Sequence, residues 1–212
     1  IWFIGIEEAK SWDCSTEDKL KESRNNIRNN YKSRYTKFKN NTDRGSISWP
    51  VANISAKIAC VSSISYNNWK SYRDEMLWIE DCQVFNGNIL SLGKRNLSLN
   101  SWPTGYDALF GFSHKEYQIY FENVKTHRYH IFQELREECN PSAIVCFGKS
   151  HWHEFEQVFS LMSKSYEEYQ NENIRIYNHD KIILTRHFSR GFSDSIAKYI
   201  GDIVHSWVGS IV

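Results

Sequence analysis

The strongest constraint on the fold is a pair of short apolar runs near opposite ends of the chain, each followed by polar residues. The first run is Ile1-Trp2-Phe3-Ile4-Gly5-Ile6, and the second is Ile182-Ile183-Leu184-Thr185. Both are rich in residues that favour strands and are too short for an isolated helix, which predicts two buried strands. Because ligands bind outside the carboxyl ends of the strands in open α/β sheets, the residues after each run are candidates for a functional site.

Strands and helices are expected to alternate along the rest of the chain. Further strands are predicted at 84–92, interrupted by Asn86-Gly87, and at 143–150, with a hairpin that pairs Asn173–Tyr177 with Lys181–Thr185. Helices are predicted at 16–38, 54–61, 69–79, 115–139 and 152–162, the last with Trp152, Phe155, Phe159 and Met162 on its inner face, and a final helix begins near Ser193 or Asp194. We therefore expect one domain over residues 1–212, an α/β fold built as a three-layer α/β/α sandwich with a central, mainly parallel sheet.

The overall charge does not single out a partner, but its distribution is uneven. The formal net charge is only +1, yet nine basic and four acidic residues lie between Glu17 and Arg44. Tyrosines, a phenylalanine and several asparagines are interleaved with these charges, so the segment could follow a phosphate backbone. A solvated helix face explains the same pattern, and both interpretations stay open.

The cysteines and the apolar runs indicate the compartment. The five cysteines contain no Cys-x-x-Cys pair, and Cys146 lies in an apolar run, so we expect a core cysteine and a reducing, cytoplasmic setting. No apolar run approaches the ~20 residues that span a bilayer, so no membrane partner is expected. The chain starts at Ile1 without Met, so leading residues could be missing.

The polar residues after the two runs carry the candidate chemistry. Glu7 and Glu8 follow the first strand, where a partly desolvated carboxylate could act as a base or position water. His187 follows the second strand and could donate a hydrogen bond to a leaving group. A glutamate that caps a turn and a histidine that bonds a backbone carbonyl are the plainer alternatives.

The same segment contains residues suited to phosphate. Ser189, Arg190 and the first amides of the final helix could hold one, with Arg186 beside them. Gly148-Lys149-Ser150 resembles the end of a phosphate-binding loop, but the first glycine of that pattern is absent, which excludes nucleotide hydrolysis. No metal site is expected, because the rings of His151 and His153 would lie on different helix faces.

In order and spacing, these segments resemble the uracil-DNA glycosylase superfamily. Gly5-Ile6-Glu7-Glu8-Ala9 lies where that family has its glycine-rich first motif, and His187-Phe188-Ser189 lies where it has its His-Pro-Ser motif. Phe85-Asn86-Gly87-Asn88 resembles the family's strand whose asparagine reads the base, and Ile144–Lys149 resembles the strand before its penultimate helix. Glu7, Glu8 and Phe188 differ from the usual residues, so the resemblance indicates the fold more strongly than uracil as the target.

The resemblance implies a monofunctional DNA glycosylase that extrudes an altered base and hydrolyses its N-glycosidic bond. It implies Glu7, with Glu8 as substitute, and His187 as catalytic residues, and Asn88, Trp12 and Phe85 as base-binding residues. Contacts to DNA phosphates are expected from Lys149, Ser189, Arg190, Arg186 and Arg95, the last in a long loop over 93–112. A modified cytosine of phage DNA, in antiviral defence, or uracil could be the target, and a monomer without cofactor is expected. A catalytically silent nucleic-acid-binding module and a nucleoside hydrolase stay open as alternatives.

Overall fold

A computed structural model describes residues 1–6, 16–19, 21, 48–63, 67–77, 84–90, 106–107, 117–169, 173–189 and 191–209. The strands are β1 (Trp2–Gly5), β2 (Phe85–Asn88), β3 (Ile144–Phe147), β4 (Glu167–Tyr169), β5 (Ile174–Tyr177) and β6 (Ile182–Thr185). The helices are α1 (Ser48–Ser62), α2 (Trp69–Glu75), α3 (Tyr117–Cys139), α4 (Trp152–Val158) and α5 (Asp194–Val208), with a 3-10 turn at Lys149–His151. The predicted helix at 16–38 and loop at 93–112 lie almost wholly outside the described residues.

One mixed sheet organises these elements, in the strand order β2-β1-β3-β6-β5-β4. The first four strands in that order are parallel, while β5 pairs antiparallel with both β6 and β4. The prediction of an α/β fold is confirmed, and the sheet is mixed: four parallel strands carry a two-strand antiparallel extension. The parallel strands end together at one edge, which we call the carboxyl edge.

Helices pack on both faces of the sheet because successive side chains of each strand point to opposite faces. On one face, Phe3, Val145 and Ile183 share a core with α1, α2 and α5. On the other, Trp2, Cys146 and Leu184 share a core with α3 and α4. Cys146 is therefore a buried core residue, as its apolar run predicts.

A capping residue fixes the start of α5, and a glycine in its middle lets it pack closely. Ser193 is the N-cap of α5, and its hydroxyl accepts a hydrogen bond from the Ile196 amide at 3.2 Å. Gly201 lets α5 approach α1, because a β-carbon there would lie 2.6 Å from Cβ of Val61. The four residues predicted to face inward along α5 are all buried: Ile196, Ile200, Val204 and Trp207.

Two predictions about the elements are wrong. Helix α4 ends at Val158, so Met162 is not on its inner face and is 58% exposed. Asn86-Gly87 does not interrupt the second core strand, since both residues pair with β1. Among the described residues, no helix combines the length and the apolar character that crossing a bilayer needs.

Candidate functional site

The candidate site is the carboxyl edge, where β2, β1, β3 and β6 end side by side. Gly5 and Asn88 are register partners at the ends of β1 and β2, and Phe147 and Thr185 are partners at the ends of β3 and β6. The chain leaves β1 toward β2 on one side and returns to β3 on the other, so the strand order reverses between β1 and β3. Ligands bind at such a reversal in open α/β sheets.

Asn88 lies at this reversal, against Gly5. A β-carbon on Gly5 would collide with Oδ1 of Asn88 and would lie 3.0 Å from the Phe147 ring. The backbone around Asn88 is held from α3, because Arg128 donates through Nη2 to the Asn88 carbonyl at 2.8 Å and through Nε to the Ile89 carbonyl at 2.6 Å. The amide of Asn88, with a donor and an acceptor, thus lies on a fixed backbone beside an aromatic ring.

Two buried phenylalanines lie beneath the carboxyl edge, and we call them the aromatic floor. Phe147 ends β3 and Phe188 follows β6, and their rings stack at 4.4 Å with an 11° angle between planes. His187 meets Phe147 edge-on, with ring centroids 5.9 Å apart. Asn88, Phe147 and His187 therefore form a row across the edge, and Gly5 lets the first two approach each other.

Strands β1 and β6 are not neighbours, because β3 lies between them. The ends of β1 and β6 are thus separated by two strand spacings, about 10 Å in all. Phe147, at the end of β3, lies between them.

The ends of β3 and β6 are bound to each other through the Thr185 carbonyl. It accepts hydrogen bonds from the Gly148 amide at 2.9 Å and from Nε1 of Trp152 at 3.2 Å. Gly148 has a φ of 134°, a backbone conformation that residues other than glycine rarely adopt. It links β3 to the Lys149–His151 turn. The turn ends at His151.

His187 is exposed at the edge, but protein atoms cover part of its side chain, and its pKa is lowered. This partial desolvation is the larger cause, and the positive charge of His151 is the second. His151 itself faces Glu154, with Nδ1 3.7 Å from Oε2. The pKa of Glu154 is lowered, chiefly by a hydrogen bond with His151.

Three of the predicted phosphate ligands are described. Lys149 is exposed at the end of β3, with Nζ 5.6 Å from the Trp152 ring. Ser189 is exposed after β6, and its Oγ donates to the His187 carbonyl at 3.5 Å. Arg186 instead braces its own loop, stacking over Phe192 at 5.3 Å and donating to the Gly191 carbonyl.

The structure does not bring Phe85 to the site. Phe85 begins β2, at the opposite end of the strand from Asn88, and its ring packs against Trp2 at 5.3 Å. It belongs to the core on the α3 face, whereas Asn88 points to the other face with Gly5. Five further predicted site residues lie outside the described residues: Glu7, Glu8, Trp12, Arg95 and Arg190.

Sequence reasoning missed Phe147, His151 and Glu154. In the sequence, Phe147 resembles the other apolar residues of a core strand. Only its position at the end of β3 distinguishes it from them. The spacing of three between His151 and Glu154 could have indicated a pair on one side of a helix.

A cavity among the described residues lies elsewhere, at the amino ends of β3 and β6. It holds about 700 Å³ and is bordered by Arg136, Phe159, Lys164 and Asp180. Arg136 and Lys164 both face the Asp180 carboxylate, at 3.6 and 3.5 Å, and Arg136 also donates to the Phe159 carbonyl at 3.4 Å. These polar groups satisfy one another and join α3, α4 and the β5–β6 turn, so we assign the cavity a structural role.

Within the described ranges, no three His, Cys, Asp or Glu side chains cluster as metal ligands would. Comparisons of the chain with protein-family models, with curated proteins and with solved structures found no match.

Proposed function

We propose that this protein is a DNA glycosylase that extrudes an altered base and hydrolyses its N-glycosidic bond. The observation that carries the proposal is the row Asn88, Phe147 and His187 at the carboxyl edge, where the strand order reverses. The row combines an amide, an aromatic ring and an imidazole along one edge of the sheet. These are the groups that an extruded base meets in a pocket that reads its polar edge.

Each group in the row has a task in breaking a glycosidic bond. As the bond between C1′ and the base nitrogen breaks, positive charge develops on the sugar and negative charge on the base. His187 donates a hydrogen bond to the departing base, and Asn88 reads the base with its donor and acceptor. The aromatic floor excludes water beneath the base, which strengthens both hydrogen bonds.

A carboxylate is needed on the other side of the sugar, and Glu7 is the proposed residue. It follows Ile6 directly in the chain, and Ile6 is the described end of the segment that pairs with Leu90 at this edge. A carboxylate there offsets the cationic sugar and takes a proton from the attacking water. Glu8 is the substitute candidate for the same task.

DNA is the proposed partner, and the exposed side chains around the opening support it. Lys149 and Ser189 flank His187 on the ends of β3 and β6, where phosphates on either side of an extruded nucleotide would lie. Arg190 and Arg95 are proposed to add to these contacts, with Trp12 stacking on the base. The protein is proposed to act as a monomer without a cofactor, in the cytoplasm, on a modified cytosine of phage DNA or on uracil.

The decisive experiment is a base-release assay on oligonucleotides that each carry one altered base. The panel includes uracil and the bulky modified cytosines of phage DNA, in single and double strands. We expect one class of substrate to give alkali-labile abasic sites. Glu7→Gln is expected to abolish release while DNA affinity changes little, and Glu138→Gln, on the exposed end of α3, is the matched control.

The other outcomes of this assay are equally informative. DNA binding without abasic sites at any base contradicts the proposal and identifies a silent binding module. Cleavage of free nucleosides with little dependence on salt identifies a nucleoside hydrolase, since DNA binding weakens steeply with salt. Full activity of Glu7→Gln excludes Glu7 from the reaction, and comparison with Glu8→Gln then shows whether Glu8 handles the water.

A further inference from the structure

The cavity at the amino ends of β3 and β6 lies at the opposite edge of the sheet from the candidate functional site. The carboxyl ends of α3 and α4, the segment that follows α4 and the β5–β6 turn border it. Its volume of about 700 Å³ is within the range of small-molecule sites, about 300–1,000 Å³. Besides the structural role of its polar groups, the cavity therefore has the size to hold a ligand.

The guanidinium of Arg136 is held only loosely at this cavity. Its Nη1 donates to the Phe159 carbonyl at 3.4 Å, and its Nη2 lies 3.3 Å from the carbonyl and 3.6 Å from the carboxylate of Asp180. Charge-assisted hydrogen bonds are about 2.7–2.9 Å long, and in the same protein Arg175 holds Glu156 at 2.8 Å. Both terminal nitrogens of Arg136 can therefore bond a closer acceptor.

Positive charge is in excess around the Asp180 carboxylate. Nζ of Lys164 lies 3.5 Å from Oδ1 of Asp180, the same oxygen that faces Arg136. One carboxylate thus serves two cations, and Lys181 adds a third basic side chain to the border of the cavity. The other acidic residue on the border is Glu137, which is exposed, so that solvent and salt screen its charge. The charge balance therefore favours a ligand with one negative charge.

The carboxyl ends of two helices would disfavour an anion, but donors cover their carbonyl groups. Nε2 of Gln133 donates to the Val158 carbonyl at 2.9 Å, and Arg136 donates to the Phe159 carbonyl. At the end of α3, the Asn140 amide donates to the Arg136 carbonyl at 2.9 Å. These hydrogen bonds reduce the negative potential that the two helix ends direct at the cavity.

The rest of the border is partly apolar. Pro141, Val158 and Phe159 line it, and the Phe159 ring lies 5.9 Å from Cζ of Arg136. A small carbon body fits this lining, beside one anionic group that meets the guanidinium. A carboxylate matches a guanidinium through two parallel hydrogen bonds and carries one negative charge, whereas a phosphate monoester carries nearly two.

We propose that this cavity binds a small organic carboxylic acid. Arg136 and Lys164 bind its carboxylate, and Pro141, Val158 and Phe159 contact its carbon body. The site does not depend on the proposed glycosylase function, because it lies at the opposite edge of the sheet and shares no residue with the carboxyl edge.

The test is a titration of the full chain with acetate, butyrate and benzoate, followed through the amide NMR signals of Ser160, Lys164 and Asp180. Benzamide is the control ligand, because it has the ring of benzoate without the charge. We expect at least one carboxylate to shift these signals saturably, and benzamide to bind about tenfold more weakly than benzoate or worse, as the loss of a hydrogen bond to a charged group implies.

Three results of this titration overturn the proposal. The first is the absence of a saturable shift with all three carboxylates. The second is equal affinity for benzoate and benzamide, which would show an apolar site without a role for charge. The third is saturable binding of inorganic phosphate in place of the carboxylates, which would show a phosphate site.

Two variants locate the binding groups, and a third is the control. Arg136→Gln and Lys164→Met are each expected to weaken binding of the tightest carboxylate by about tenfold or more. Lys198→Met replaces an exposed lysine of α5 that pairs with Asp202 at 2.8 Å, and it should leave the affinity unchanged.

Lys164→Met decides the outcome if Arg136→Gln does not fold, since 44% of the Lys164 side chain is exposed and its loss leaves the core intact. Wild-type affinity in Lys164→Met, or an equal loss in Lys198→Met, overturns the proposal.

Discussion

The side-chain oxygen of Asn88 occupies the space that a β-carbon on Gly5 would take. The Phe147 ring borders the same space from the opposite strand, at 3.0 Å. An amide on β2 and an aromatic ring on β3 can therefore approach across β1 only because β1 has a glycine there. This is the close approach on which the proposed base pocket depends.

Gly5→Ala is expected to displace Asn88 or Phe147 and to lower the free energy of unfolding by about 1–3 kcal/mol, as overpacking of a buried contact does. Urea denaturation measures the change. Gly209→Ala is the control, because Gly209 has no neighbour within 4 Å of a β-carbon, and we expect an effect within about 0.5 kcal/mol. Equal effects at the two positions would contradict the close approach.

The stack of Phe147 on Phe188 is expected to couple the two residues energetically. Phe147→Leu and Phe188→Leu, alone and together, form a double-mutant cycle whose coupling should be about 0.5–1.5 kcal/mol by urea denaturation. Phe155, buried on the opposite face of the sheet, gives the comparison cycle with Phe188. That cycle should be additive within about 0.5 kcal/mol, so similar coupling in both cycles would exclude a specific stack.

Asn88→Ala is expected to lower kcat/KM for base release by about 10–100-fold, the effect of losing one well-formed contact to a base edge of about 1–3 kcal/mol. The loss should differ between bases, since the amide reads their polar edges. Asn178→Ala changes an exposed asparagine in the β5–β6 turn, at the opposite edge, and should leave kcat/KM unchanged. A uniform loss across all bases would show that Asn88 has only a structural role.

The lowered pKa of His187 predicts how stability depends on pH. Near its ordinary pKa of about 6.5, the unfolded chain takes up a proton that the folded protein resists. Stability therefore falls as the pH drops below this value, and it stops falling on this account once the folded state is protonated too. His187→Asn should make the unfolding midpoint less sensitive to acid in this range, and urea denaturation at a series of pH values measures it. A steeper dependence in the variant would contradict the lowered pKa.

The parts of the fold that were predictable are those in which local sequence and burial agree. β1, β3 and β6 are continuous apolar runs because both faces of each strand are covered by helices. The β5–β6 hairpin and the Ser193 cap of α5 are set by residues adjacent in sequence, so their patterns are visible without tertiary information.

The parts that were not predictable depend on contacts between distant segments. β4 is a Glu-Glu-Tyr edge strand whose residues are all exposed, so no apolar pattern marks it. The position of β3 between β1 and β6 follows from long-range pairing, and this decided that Phe147 forms the base of the site. Phe85 and Asn88 are three residues apart in β2, so their side chains point to opposite faces of the sheet. The motif predicted that both would bind the base, and only Asn88 lies at the site.

Arg128 of α3 donates hydrogen bonds to the carbonyls of Asn88 and Ile89, so α3 does more than cover one face of the sheet. Helix α3 packs on the face of the sheet opposite to the Asn88 side chain. Two N–H groups of Arg128 nevertheless fix the backbone that positions the Asn88 amide. A shift of α3 along its axis would therefore be transmitted to the Asn88 backbone, so substitutions on α3 would reset the position of this amide from the far side of the sheet.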